Sequence, residues 1–160
     1  TSGDLSVMLN SIVAAQNGHR FIYRGMDVST DGNELAHAIL RGGVDKYGTT
    51  IPNYHYEDIW RLSKMYKEKN LKNPAVIVDA NHSNSNKQHH EQLRIVGEVL
   101  HTRKYNAELR NLIKGVMVES YLVEGRQDIG SHMTYGQSIT DPCIGWEDTV
   151  RLIDKIAEDC

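Results

Sequence analysis

Disulfide chemistry is the first thing this sequence does without. Only Cys143 and Cys160 occur among 160 residues, too few for a cysteine framework, so a reducing cytoplasm is the expected compartment. No apolar run approaches the length of a membrane span and no signal-peptide pattern is visible, which argues against a membrane partner. The formal net charge of −3 gives no general attraction to nucleic acid or to an anionic surface, so any basic site has to be local. No low-complexity linker divides the chain, and residues 1–160 are long enough for one domain with a sizeable core. The Walker pattern and its lysine are missing too, so Gly136-Gln137-Ser138 resembles a phosphate loop only superficially.

What is present is organised around Ala75-Val76-Ile77-Val78-Asp79, a β-branched apolar run that breaks into Ala80-Asn81-His82-Ser83-Asn84-Ser85-Asn86-Lys87. Continuous apolar strands belong to parallel sheets covered on both faces, and polar residues at their carboxyl ends are where α/β folds place chemistry. Gly115-Val116-Met117-Val118-Glu119 repeats the arrangement, and Ala36 to Leu40 leads likewise into Arg41-Gly42-Gly43. Phe21-Ile22-Tyr23 is a further candidate strand.

Helical periodicity fills the intervals. Thr1-Ser2-Gly3-Asp4 reads as an entry to a helix with Leu5, Met8, Leu9, Ile12 and Val13 on one face. Asn53 is expected to cap a helix that buries Ile59, Leu62, Met65 and Tyr66. The helix after Lys87 turns Leu93, Val96 and Leu100 inward, with Gln88, Glu91 and Arg94 outward. A glycine-bearing loop is expected from Glu124 to Pro142, and Trp146, Val150, Ile153 and Ile156 mark a last amphipathic helix. Strands alternating with helices imply parallel βαβ units. Functional residues on one rim suit a (β/α)8 barrel, but such a barrel needs eight strands and about 250 residues. The expected fold is therefore α/β: about four parallel strands with covering helices, half of a TIM barrel, or the same strands closed as an open sheet. A half-barrel leaves strand edges and an inner face in need of a partner.

Of the eight histidines, His19, His37, His55, His89, His90, His101 and His132 are assigned to ordinary surface or structural roles. His82 differs, since it follows a buried strand inside a polar cluster. Glu119 occupies the matching place on the next strand, where a carboxylate must be paired or metal-bound, and Asp141 precedes the last helix. One imidazole and two carboxylates suit a divalent transition metal with open positions. Spacing alone does not join three residues so far apart, and ordinary structural roles are the alternative. Arg41 beside Gly42-Gly43 is either an anion site or a salt-bridged arginine in a tight turn. Lys87 faces an anion or caps its surroundings. Cys143 reads as a small buried hydrophobe.

At these residues the chain resembles the class I 3-deoxy-D-arabino-heptulosonate 7-phosphate (DAHP) synthases. The likeness runs through Ile39-Leu40-Arg41-Gly42-Gly43, Asp79-Ala80-Asn81-His82-Ser83-Asn84-Ser85-Asn86-Lys87-Gln88 and Gly115-Val116-Met117-Val118-Glu119-Ser120-Tyr121-Leu122-Val123-Glu124-Gly125. It continues through Tyr135-Gly136-Gln137-Ser138-Ile139-Thr140-Asp141-Pro142-Cys143-Ile144-Gly145-Trp146-Glu147-Asp148. It implies a (β/α)8 barrel that condenses phosphoenolpyruvate with erythrose 4-phosphate and releases phosphate, the first step of the shikimate pathway towards chorismate. His82, Glu119 and Asp141 are implied as three of four ligands to a divalent ion (Mn, Fe, Zn or Co), and His82 and Arg41 as catalytic residues, with Arg41 holding phosphoenolpyruvate. The family's fourth ligand, a cysteine, its Lys-Pro-Arg-Thr segment and a further substrate lysine have no counterpart in this sequence, and Cys143 stands in the wrong motif to replace the thiolate. The likeness thus covers the carboxyl-terminal half of the enzyme. The expected partner is the amino-terminal half of the barrel or a second copy, without which the chain should be inactive. The competing expectations are a non-catalytic half-barrel module that self-associates or binds a partner, and a related synthase acting on another sugar phosphate.

Overall fold

The computed structural model describes residues 3–159. In chain order the elements are α1 (Leu5–Gln16), β1 (Arg20–Tyr23), β2 (Met26–Ser29), β3 (Ala38–Leu40), β4 (Gly43–Val44), β5 (Thr50–Ile51) and α2 (Tyr56–Glu68). They continue with β6 (Val76–Asp79), α3 (Glu91–Tyr105), α4 (Ala107–Leu112), β7 (Ile113–Met117), β8 (Val123–Arg126), β9 (Gln137–Ser138) and α5 (Trp146–Asp159).

The apolar runs pair as one parallel sheet in the order β3-β6-β7. Ile39 pairs with Ile77 and Ile77 with Gly115, so one row crosses all three strands. Parallel neighbours end on the same side, which brings the residues after Leu40, Asp79 and Met117 to one rim. Beyond β7 a single parallel bridge joins Ser120 to Ile144. The Glu124 to Pro142 stretch is not a plain loop, because β8 and β9 form within it as a parallel pair.

Side chains alternate across a strand, and in β3 and β6 the helix-facing set is Ala38, Leu40, Val76 and Val78, all buried. They pack with Leu9, Ile59, Leu62, Tyr66, Ile95, Leu109 and Ile113, which places the core between the sheet and the helices. Tyr66 is locked there, its hydroxyl accepting from Ala38 N at 3.0 Å and donating to Ala75 O at 2.9 Å. On the other face Ile39 and Met117 remain exposed. No helix among the described residues is long and apolar enough to cross a membrane.

Two local expectations need correction. Phe21-Ile22-Tyr23 is a strand, but in an exposed antiparallel hairpin with β2 rather than in the parallel sheet. Asn53 does not cap α2: the N-cap is His55 with no side-chain cap bond, and Glu57 and Asp58 in the first turn offset the helix dipole instead. The last amphipathic helix forms as expected, as α5, which buries Leu152 and packs Ile156 on the core while Trp146, Val150 and Ile153 are exposed. Asp4 does cap α1, accepting from Ser6 N at 2.8 Å and Val7 N at 3.1 Å, while Thr1 and Ser2 lie outside the described residues.

Candidate metal centre

The polar cluster after β6 is a series of tight turns. Ala80 N donates to Met117 O, extending the sheet by one bond, and Lys87 N closes back on His82 O at 2.9 Å. His82, Asn86 and Lys87 adopt positive φ of 47°, 53° and 59°, a left-handed conformation that asparagine and histidine enter more readily than most residues. Asn84 locks the turn from inside. Its amide donates to Leu40 O at 3.0 Å and Asp79 O at 2.8 Å, and its carbonyl accepts from Asn53 N at 2.8 Å. Asn53 in turn accepts from Gly42 N at 2.7 Å, so the ends of β3 and β6 are tied together.

His82, Glu119 and Asp141 come together on this rim, each half-buried. One ligand atom from each lies within 4.8 Å of those of the other two. Asp79 Oδ2 stands 2.7 Å from His82 Nδ1. With a carboxylate there the ring proton belongs on Nδ1, and the Nε2 lone pair points away from Asp79. Nε2 lies 3.2 Å from Glu119 Oε1. A proton carried by Nε2, or a cation between the two atoms, satisfies that approach. Donors 3.2 Å apart, each about 2.1 Å from a shared ion, would subtend about 100° at it, within the range of tetrahedral and octahedral sites. The donor set and its spacing therefore fit a divalent transition metal.

The supporting groups were not legible as functional residues in the sequence. Asp79 is 1% exposed, and besides His82 it accepts from Asn81 N at 2.8 Å and lies 4.0 Å from Arg41 Nε. One buried acid thus orients the imidazole and lies within ion-pair range of the guanidinium. A carboxylate closing a buried strand three residues before a histidine was the available signal. Asn81 Nδ2 donates to Glu119 Oε2 at 2.6 Å, leaving Oε1 towards His82. Gln92, fully buried on α3, clamps the Glu119 backbone: its carbonyl accepts from Glu119 N at 2.7 Å and its amide donates to Glu119 O at 3.1 Å. Lys87 Nζ donates to Asp141 Oδ1 at 3.2 Å. Burial pushes the Cys143 thiol up from its ordinary value, and it donates to Asp141 O at 3.4 Å. A protonated thiol in that role matches a small buried residue rather than a nucleophile.

Two substitutions follow from these supports. Gln92→Leu leaves Glu119 N without its partner and takes from Glu119 O one of its two donors, the other being Ile144 N at 3.1 Å; it should lower unfolding free energy by about 2 kcal/mol in urea denaturation, with weaker metal binding. Asp79→Asn should lower metal affinity about 10–100-fold in a calorimetric titration, because an amide replaces the charged acceptor behind the ring and its NH2 can compete for Nδ1.

The profile of the DAHP synthetase I family matches residues 4–154. The chain belongs to that family. Among its DAHP synthetase relatives is the phospho-2-dehydro-3-deoxyheptonate aldolase of Haemophilus influenzae, 44% identical over 165 residues, 99% of this chain and 43% of that protein. The Trp-sensitive phospho-2-dehydro-3-deoxyheptonate aldolase of Escherichia coli K12 is 39% identical over 167 residues, 98% of this chain and 44% of that protein. The solved phospho-2-dehydro-3-deoxyheptonate aldolase of Francisella tularensis superposes with a TM-score of 0.85 at 34% identity, covering 99% of this chain and 46% of that one. The chain thus spans less than half the length of these DAHP synthetase relatives.

Proposed function

We propose that residues 1–160 contribute the metal-bearing rim of a DAHP synthase, which joins phosphoenolpyruvate to erythrose 4-phosphate and releases phosphate. The observation that carries this is the convergence of His82, Glu119 and Asp141, one atom from each within 4.8 Å of the others, in a chain of this family.

In this proposal His82 Nε2 and the Glu119 and Asp141 carboxylates hold a divalent ion (Mn, Fe, Zn or Co). When bound, the ion supplies a Lewis acid for the aldehyde oxygen of the tetrose as the new carbon–carbon bond forms. Arg41 presents its guanidinium fork to the phosphate or carboxylate of phosphoenolpyruvate. Asp79 lies 4.0 Å from its Nε, so the guanidinium stands on the same rim as His82. Gly42 lets backbone approach closely beside it. Holding two reactants in a fixed relation is a large share of catalysis in such a condensation.

Phosphoenolpyruvate carries two anionic groups, and one arginine does not hold both. We therefore assign the remaining cations and the fourth metal ligand to residues outside 1–160. The exposed Ile39 and Met117 on the open sheet face, and Trp146, Val150 and Ile153 on α5, are the surfaces the rest of the barrel would cover. Phosphate release assayed with phosphoenolpyruvate, erythrose 4-phosphate and Mn2+ tests this. Residues 1–160 alone should give none, and turnover should arise when the amino-terminal half is supplied. Robust turnover by residues 1–160 alone, or none in the completed barrel, contradicts the proposal.

A further inference from the structure

We propose that His89, His90 and Glu124 form a second, peripheral site for a borderline divalent transition metal ion such as zinc. The site shares no ligand with the rim around His82. His89 and His90 immediately precede α3, and Glu124 lies on β8. His89 Nε2 is 3.0 Å and His90 Nε2 3.2 Å from the same oxygen, Glu124 Oε1. The three ligand atoms lie within 4.8 Å of one another, the only such group besides the central one among the described residues. Two imidazoles and one carboxylate on a single side leave positions open for water, a donor set suited to zinc and its neighbours.

The donors are held by ordered backbone. Val123 N donates to Gly136 O at 2.8 Å and Gly125 N to Cys143 O at 2.9 Å, bracketing Glu124, while Gln92 N donates to His89 O at 3.2 Å. Gln137 Nε2 donates to Glu124 O at 2.7 Å. The two imidazole rings sit 3.9 Å apart, tilted by 37°. Without an ion, a single carboxylate oxygen faces both rings. A divalent cation uses all three groups as donors. Occupancy would tie the loop carrying His82 and Lys87 to β8, so zinc should raise the melting temperature through this site as well as the central one.

Zinc stoichiometry after equilibrium dialysis tests the proposal on the chain, with His90→Ala, Glu124→Gln, His82→Ala and the combined His82→Ala/His90→Ala variant. The expected result is two equivalents in the unaltered chain, one in each single variant and none in the combined variant. Unchanged stoichiometry in both His90→Ala and Glu124→Gln overturns the peripheral site. One equivalent lost in His82→Ala but kept in His90→Ala also overturns it and leaves the central site standing. One equivalent lost in His90→Ala but kept in His82→Ala supports the peripheral site and refutes the central one. No zinc in the unaltered chain overturns both. His90 is exposed, and circular dichroism of His90→Ala alongside His90→Gln separates loss of the ligand from loss of fold.

Discussion

Replacing His82 with alanine is expected to lower affinity for the central metal by at least about 100-fold, beyond the usual 10–100-fold effect of losing a group that only supports a ligand. The imidazole is the one nitrogen donor in the set, and its Nε2 is the atom 3.2 Å from Glu119 Oε1. Without it Glu119 and Asp141 face each other across a gap with no neutral donor, and Asp79 keeps a buried charge with one partner fewer. Calorimetric titration with Mn2+ measures the loss, and DAHP formation in the completed barrel should vanish with it. Because His82 has a φ of 47°, alanine also adds backbone strain of about 1 kcal/mol. His82→Asn separates the two effects, since asparagine tolerates that conformation. Metal affinity near the unaltered value in His82→Asn would show that the imidazole is not a ligand.

Gly42→Ala should be the most destabilising single substitution near the site. Gly42 has a φ of 72°, and a Cβ there would lie 2.7 Å from Ser83 Cβ, 2.9 Å from Ile51 O and 2.9 Å from the Ser83 carbonyl carbon. Left-handed backbone costs a residue with a Cβ about 1–2 kcal/mol, and overpacking adds about 1–3 kcal/mol. Two of the three clashing atoms are backbone and have nowhere to go. A loss of about 4 kcal/mol in urea denaturation is expected, together with weaker phosphoenolpyruvate binding in the completed barrel, because the turn positions Arg41. A change below about 1 kcal/mol would mean that the β3 and β6 ends are not locked together as described.

The sheet was legible where composition changed abruptly. Val76, Ile77 and Val78 run apolar without alternation and then give way to asparagines and serines, which is how a parallel strand with a functional end looks. The inner face of α2, Ile59, Leu62 and Tyr66, followed from helical spacing and is buried. Apolar character marked Phe21-Ile22-Tyr23 as a strand and Trp146, Val150 and Ile153 as part of an amphipathic helix, and both form, yet all six residues are exposed here: periodicity says that a face is apolar, not what covers it. Asp79 and Gln92 escaped notice for the opposite reason. Both are polar and almost fully buried, and only the three-dimensional partners of such groups reveal what they do. The grouping of His82 with Glu119 and Asp141 rested on family resemblance, since contact across such separations follows from parallel strands ending on one rim. His89 and His90 looked ordinary because Glu124, which they flank, lies 35 residues beyond His89.

The most direct test of the central site is anomalous diffraction from crystals of the chain grown with Mn2+. A peak about 2.0–2.3 Å from His82 Nε2 and from carboxylate oxygens of both Glu119 and Asp141 is the predicted result. Density at the His89, His90 and Glu124 cluster with none beside His82, or His82 turned away from Glu119, would contradict the account.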